Sequence, residues 1–278
     1  MVAPVVDMAW VDMARLDVAR LGGQGSGLAI ADVRWYLDGR SGREAFERGH
    51  LPGAVFVDLD EWLSGDPRAG RGRHPLPDPG KFAAGMSALG IGDGTVVVAY
   101  DDQGGVIAAR LVWMLRATGH EAALLDGGLD SYSGPMTTGE QAAAPARFTA
   151  RPWPSRLLAG IDDASDPSNV VLDARGRDRY HGENEQVDPQ AGHIPGALSV
   201  PCRENLGTDG RFLPVEDLRQ RFTDAGVTAG TPVVSYCGSG VTACHNLLAL
   251  ELCGLGQGRL YPGSWSEYSA TPGRPVAT

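Results

Sequence analysis

The chain has 278 residues, long for one compact domain and comfortable for two of about 140 residues each, either of which could bury its own core. Its 24 basic and 34 acidic residues leave a net charge of −10, which argues against nucleic acid or an anionic membrane as a partner. No stretch approaches the length of a membrane span, and Met1 to Trp10 lacks the cationic start and long apolar run of a secretory signal.

Read in chain order, Leu28-Ala29-Ile30 is a short apolar run ending in Asp32-Val33-Arg34, and Gly49-His50-Leu51-Pro52-Gly53-Ala54 is a turn. Val96-Val97-Val98-Ala99-Tyr100-Asp101 is a second strand, Ala108 to Thr118 a helix closed by Gly119, and Gly127-Gly128-Leu129-Asp130-Ser131-Tyr132 a further turn. Gly134 to Pro154 carries Pro135, Pro145, Pro152 and Pro154 with alanines between them and reads as a linker.

The same landmarks then recur in the same order. Val170-Val171-Leu172 ends in Asp173-Ala174-Arg175, and Gly192-His193-Ile194-Pro195-Gly196-Ala197 repeats the turn. Pro232-Val233-Val234-Ser235-Tyr236-Cys237 repeats the strand, Thr242 to Cys253 repeats the helix and is closed by Gly254, and Gly263-Ser264-Trp265-Ser266-Glu267-Tyr268 repeats the last turn. Short β-branched runs alternating with helices predict an α/β fold, each half a mainly parallel sheet flanked by helices. The expected division is 1–140, a linker at 141–154, and 155–278.

Four cysteines, Cys202, Cys237, Cys244 and Cys253, all fall in the second half without the spacing of a zinc site. Reduced thiol chemistry in the cytoplasm fits them best. Cys237 stands apart: Cys237-Gly238-Ser239-Gly240-Val241-Thr242 follows a strand and opens a helix. Two glycines let the backbone curl so that successive N–H groups aim inward, and the helix N-terminus adds partial positive charge. Such a nest favours thiolate over thiol and predicts an activated nucleophile at the carboxyl end of a strand. Cys244 and Cys253, on the apolar helix that follows, read as core thiols. The counterpart of Cys237 in the first half is Asp101, whose loop Asp101-Asp102-Gln103-Gly104-Gly105 offers no nucleophile. The first half is therefore expected to be non-catalytic.

At each of its six positions the Cys237 loop resembles the active-site loop of the rhodanese superfamily, in its 3-mercaptopyruvate sulfurtransferase form. With the repeat, the likeness spans about Leu28 to Tyr268 and implies two tandem rhodanese-like domains. It implies a catalytic Cys237 that takes sulfur from a small anionic donor, thiosulfate or 3-mercaptopyruvate, as a persulfide. The sulfur then passes to a thiol such as thioredoxin or glutathione, or to cyanide, with no metal or organic cofactor. Gly238, Gly240, Val241 and Thr242 would line the donor site. Arg179, in Arg179-Tyr180, matches an arginine that binds the anionic donor, while Arg175 reads as structural. Enzymes of the 3-mercaptopyruvate type carry a second arginine about nine residues later, where this chain has the acidic stretch Gly182 to Asp188. The resemblance thus implies that a second guanidinium is missing. Thiosulfate-type members place basic residues inside the loop, where this chain has Ser239, so the donor stays open. Asp60 and His74 match the acid and histidine of a proton relay ending on Ser239. His50 and His193, each in a Gly-His-x-Pro-Gly turn, recur in both halves and read as architectural.

Two other functions compete. A phosphatase with a thiolate loop needs an arginine six positions after the cysteine, and position 243 is alanine. A non-catalytic rhodanese-like sulfide- or protein-binding module would be favoured by loss of the thiol, which this chain keeps.

Overall fold

Runs such as Val96–Tyr100 and Val233–Tyr236 are buried along nearly their whole length, the pattern of parallel strands covered on both faces. In the computed structural model, which describes residues 1–20, 27–140 and 143–278, every paired strand is indeed parallel. Residues 141 and 142 of the expected linker lie outside the described residues.

The chain divides into two compact units. One comprises Met1–Leu63, Pro77–Trp153 and Thr208–Phe212; the other comprises Ser64–Leu76, Pro154–Gly207 and Leu213–Thr278. The first unit holds β1 (Val5–Val6), α1 (Met8–Arg20), β2 (Leu28–Asp32), α2 (Gly42–Arg48), β3 (Ala54–Phe56), α3 (Leu59–Trp62), α4 (Pro79–Ala88), β4 (Val96–Tyr100), α5 (Ala109–Ala117) and β5 (Ala122–Leu125). Its strand order is β1-β5-β4-β2-β3. The second holds β6 (Val170–Asp173), α6 (Arg177–Tyr180), β7 (Leu198–Ser199), α7 (Val215–Asp224), β8 (Val233–Tyr236), α8 (Ala243–Leu252), β9 (Arg259–Leu260) and α9 (Ser264–Tyr268). Its order is β7-β6-β8-β9. Among the described residues no helix is long and apolar enough to cross a membrane.

The repeat extends to individual contacts. In the first sheet Asp32 lies beside Tyr100, and in the second Asp173 lies beside Tyr236. Arg34 grips Asp32 through Nε at 3.0 Å and Nη2 at 2.7 Å and donates to the Gly49 carbonyl at 2.8 Å. Arg175 grips Asp173 at 3.0 and 2.7 Å and donates to the Gly192 carbonyl at 2.7 Å. Buried pairs of this kind hold when geometry is good and further hydrogen bonds support the charges, as the bidentate grip and the carbonyl contact do here, and they pin each Gly-His turn to its strand end. His50 stacks on Phe46 with ring centroids 3.8 Å apart, and His193 stacks on Tyr180 at 3.7 Å. Both histidines are thus parts of the turn that packs on each core.

Those cores are separate. In the first unit Ile30, Phe46, Leu51, Phe56, Val98 and Tyr100 pack together; in the second, Val171, Ile194, Val234, Tyr236, Trp265 and Tyr268 do so. Each such side chain contributes about 1.5–3 kcal/mol by leaving water. The two strongly buried helices, α5 and α8, follow the two strands whose carboxyl ends carry Asp101 and Cys237.

Candidate active site

Cys237 follows the last residue of β8, and its loop runs directly into α8. The loop closes on the sulfur: the N–H of Gly240 donates to Cys237 Sγ at 3.1 Å. Gly240 has φ +77°, and a Cβ there would lie 2.5 Å from the Pro262 carbonyl oxygen. Only glycine fits that turn. The turn after β9 clamps the loop from the other side. The N–H of Cys237 donates to Ser264 Oγ at 3.1 Å, that of Trp265 to the Cys237 carbonyl at 3.0 Å, and that of Ser266 to the Gly238 carbonyl at 2.9 Å. Ser264 sits at φ 54°, a left-handed conformation that costs a non-glycine residue about 1–3 kcal/mol and persists where its surroundings over-determine it. Cys237 is only 2% exposed and Val241 3%, so the sulfur is shielded from bulk water, while Thr242 is the residue from which α8 starts.

The equivalent loop of the first unit is closed by its own side chain. Asp101 Oδ1 accepts the N–H groups of Gln103 and Gly105 at 2.7 and 2.8 Å, and Oδ2 accepts those of Ile107 and Ala108 at 2.7 and 2.9 Å. A loop of this shape therefore gathers backbone donors around negative charge. In the first unit a fixed carboxylate occupies them; in the second the group at that position is a thiol.

Charged residues gather beside the Cys237 loop. Arg179 donates through Nη2 to both oxygens of Glu185 at 2.9 and 2.8 Å, and to Asp188 Oδ2 at 3.0 Å. Arg73 pairs with the other oxygen of Asp188 through Nη1. Burial alone would raise Glu185, but the hydrogen bonds from Arg179 and from the N–H groups of Val187 and Asp188 outweigh it and hold the carboxyl below its ordinary value. The acidic stretch does not leave Arg179 as a lone cation: Asp188 draws a second guanidinium, Arg73, from the segment Ser64–Leu76. Arg175 is buried on Asp173 and lies over the Trp265 ring, 4.7 Å from its centroid.

The sequence matches the Rhodanese-like domain over residues 19–134 and again over 154–271. The chain belongs to the rhodanese family. A Pseudomonas aeruginosa relative named "Probable 3-mercaptopyruvate sulfurtransferase" is 46% identical over 90% of this chain and 92% of its own. A thiosulfate sulfurtransferase of Gallus gallus is 34% identical over 90% and 89%. Among solved structures, the 3-mercaptopyruvate sulfurtransferase from Leishmania major superimposes with TM-score 0.81 at 30% identity, covering 99% of this chain and 76% of that one.

In this rhodanese, Ser239 and His74 meet within the second unit, with His74 Nδ1 2.7 Å from Ser239 Oγ. Asp60 belongs to the first unit, where its Oδ2 accepts the indole N–H of Trp35 at 3.0 Å. The other three cysteines are buried and unpaired in any disulfide. Burial pushes the Cys202 thiol up to about 12 and raises that of Cys253 as well, so both stay protonated at neutral pH. Cys244 points its Sγ at the Gly240 carbonyl, 3.5 Å away. Three residues that the structure places around the Cys237 loop and its charged flank were not singled out from sequence: Arg73, Asp188 and Ser264. For Ser264 a signal existed, since its repeat partner is Gly128, the residue type that a left-handed backbone prefers.

Proposed function

We propose that the protein is a sulfurtransferase in which Cys237 carries sulfur as a persulfide from thiosulfate or 3-mercaptopyruvate to a thiol or to cyanide. The observation that carries this reading is the donation of the Gly240 N–H to Cys237 Sγ at 3.1 Å within a clamped loop. A dipole aimed at the sulfur before reaction stabilises negative charge there without reorganisation. The second half does this chemistry and the first, its nest filled by Asp101, does not; the boundary falls in 141–154.

With thiosulfate, the Cys237 thiolate attacks the outer sulfur, the S–S bond of the donor breaks, and sulfite leaves with the electron pair. With 3-mercaptopyruvate, the donor's C–S bond breaks instead, the electron pair passes to the enolate of pyruvate, and the donor's thiol proton ends on carbon. The Ser239–His74 contact offers a path for that proton. The product in either case is Cys237–S–S⁻, whose terminal sulfur stays beside the loop N–H groups. Attack on it by a thiolate such as thioredoxin or glutathione, or by cyanide, regenerates the Cys237 thiolate and yields an acceptor persulfide or thiocyanate. Arg179, flanking Gly238, orients the anionic end of the donor. We place the reaction in the cytoplasm, where free thiols persist.

The reading is tested by incubating the protein with each donor and analysing the Cys237 peptide by mass spectrometry. One added sulfur on that peptide is expected, lost on reduction and absent from Cys237→Ser. No added mass with either donor would sink it.

A further inference from the structure

Arg73 and Arg179 reach one point from different segments of the second unit. A Cβ placed on Gly238 would lie 3.1 Å from Arg73 Nη2 and 3.3 Å from Arg179 Nη1. The two guanidiniums therefore flank a space against the residue that directly follows the nucleophile. Each arginine is anchored by its other arm: Arg73 Nη1 pairs with Asp188 Oδ1, and Arg179 Nη2 pairs with Asp188 Oδ2 and Glu185. The carboxylates lie behind, with side chains 1% and 2% exposed, and the guanidiniums lie in front, at 30% and 19%. Among the described residues, the hydrogen bonds of these arginines to carboxylates run through Arg73 Nη1 and through Arg179 Nε and Nη2.

The anchoring is mutual. Burial pushes the Asp188 carboxyl up from its ordinary value while Arg73 and Arg179 pull it down, so the charge that orients the arginines depends on them. Arg73 is tied down further, since its N–H donates to Ser266 Oγ at 3.0 Å and the next residue, His74, meets Ser239. Both contacts join the Arg73 segment to the turn and loop that enclose Cys237. A surface arginine that merely neutralised Asp188 would need none of this, nor a glycine at 238 to keep the space before it open.

We propose that Arg73 is a second donor-binding residue, taking the oxyanion end of the sulfur donor jointly with Arg179, and that Asp188 is the positioning residue for both. The inference rests on the sulfurtransferase reading above and names which side chains recognise its donor. Two guanidinium edges converging on one point suit a carboxylate or a sulfonate-like head, because each supplies a directed, charge-assisted N–H. In double displacement the kcat/KM of each substrate reports its own half-reaction, so a donor-binding residue and a purely structural one separate cleanly.

The test is steady-state kinetics of Arg73→Ala and Arg73→Gln with thiosulfate and with 3-mercaptopyruvate, against a neutral thiol acceptor, alongside thermal unfolding. Arg73→Ala is expected to lower donor kcat/KM about tenfold or more, the scale of a lost charge-assisted hydrogen bond, and to leave acceptor kcat/KM within about twofold. Loss confined to one donor identifies the head group read, and loss with both identifies the shared oxyanion. The double reversal Arg73→Asp/Asp188→Arg, which returns a guanidinium from position 188, is expected to recover more donor kcat/KM than either single reversal. If a folded Arg73→Ala protein, or Arg73→Gln should alanine prevent folding, keeps its donor kcat/KM within about twofold of the original, the proposal is overturned. Failure of the unaltered protein to transfer sulfur from either donor would instead remove the reading on which it rests.

Discussion

Ser264 Oγ accepts the backbone N–H of Cys237 at 3.1 Å while donating to the Tyr261 carbonyl at 2.9 Å, from a backbone at φ 54°. In the first unit the equivalent residue is Gly128, at φ +55°, a position where a Cβ would meet the Asp101 carbonyl oxygen at 2.4 Å. The second unit thus accepts strain at this position and gains a hydroxyl that fixes the amide of Cys237. Ser264→Gly should relieve about 1–3 kcal/mol of strain and forfeit hydrogen bonds worth about 1 kcal/mol each, leaving stability close to the original. Activity should nevertheless fall at least about tenfold, since the Cys237 amide loses its partner. Ser264→Ala keeps the strain and loses the same bonds, and urea unfolding should find it the less stable of the two. An alanine variant as stable as the glycine variant contradicts this account of the turn.

Gly240 should be the loop position least tolerant of a side chain. An alanine there must hold φ near +77° with its Cβ 2.5 Å from the Pro262 carbonyl, so the loop has to move and carry the N–H away from Cys237 Sγ. Left-handed backbone costs alanine about 1–2 kcal/mol before any clash. Gly240→Ala is expected to fold with a lowered Tm and to lose about 100-fold or more in kcat/KM, the cost of an electrostatic donor removed from a reacting centre. Persulfide formation close to the original rate would show that the Gly240 amide does not serve the sulfur.

Much of this architecture was legible because the chain states it twice. The helix predicted over Ala108 to Thr118 is Ala109–Ala117, and that over Thr242 to Cys253 is Ala243–Leu252, since apolar runs closed by glycine leave little choice of boundary. Asp32-Val33-Arg34 and Asp173-Ala174-Arg175 announced the strand ends on which both Gly-His turns are pinned. The charged flank of the site was hidden for a different reason. Arg73 and Asp188 lie far apart in the chain, and their pairing is a product of tertiary folding, with no local spacing to betray it. Read along the sequence, Gly182 to Asp188 is an acidic stretch where a second guanidinium is missing; folded, its Glu185 and Asp188 side chains are buried behind two arginines.

Asp101 should be a stability residue of the first unit. Four backbone N–H groups converge on its carboxylate within 2.9 Å, and Asp101→Ala leaves all four without their acceptor, those of Gly105, Ile107 and Ala108 buried. An unsatisfied buried donor costs about 1–3 kcal/mol, so a total loss of about 3 kcal/mol or more is expected, with Asp101→Asn losing less because one acceptor oxygen remains. Donor kcat/KM of the folded variant should change little, within about twofold. Urea unfolding and steady-state kinetics together check this. A large loss of sulfur transfer in a folded Asp101→Asn protein would give the first unit a part in the chemistry.

The acid side of the stability profile should carry the signature of Glu185. Its carboxyl is held below the ordinary value in the folded protein, against burial, by Arg179 and by the N–H groups of Val187 and Asp188. A native carboxyl shifted downward contributes stability that is complete above its unfolded value and disappears as pH falls through the folded one. At neutral pH Glu185→Gln should therefore cost about 2 kcal/mol, the range for a hydrogen bond to a charged group. The gap to the unaltered protein should narrow on acidification, because that protein then gives up the same charge by protonation. Asp188 runs the opposite way: burial raises its carboxyl in the fold, so Asp188→Asn should improve in relative stability as pH rises through the ordinary carboxylate range. Chemical denaturation of both variants across that range reads the two slopes directly. Parallel curves would mean that neither carboxylate exchanges protons differently in the folded and unfolded chains, and that the arginine backing is electrostatically idle.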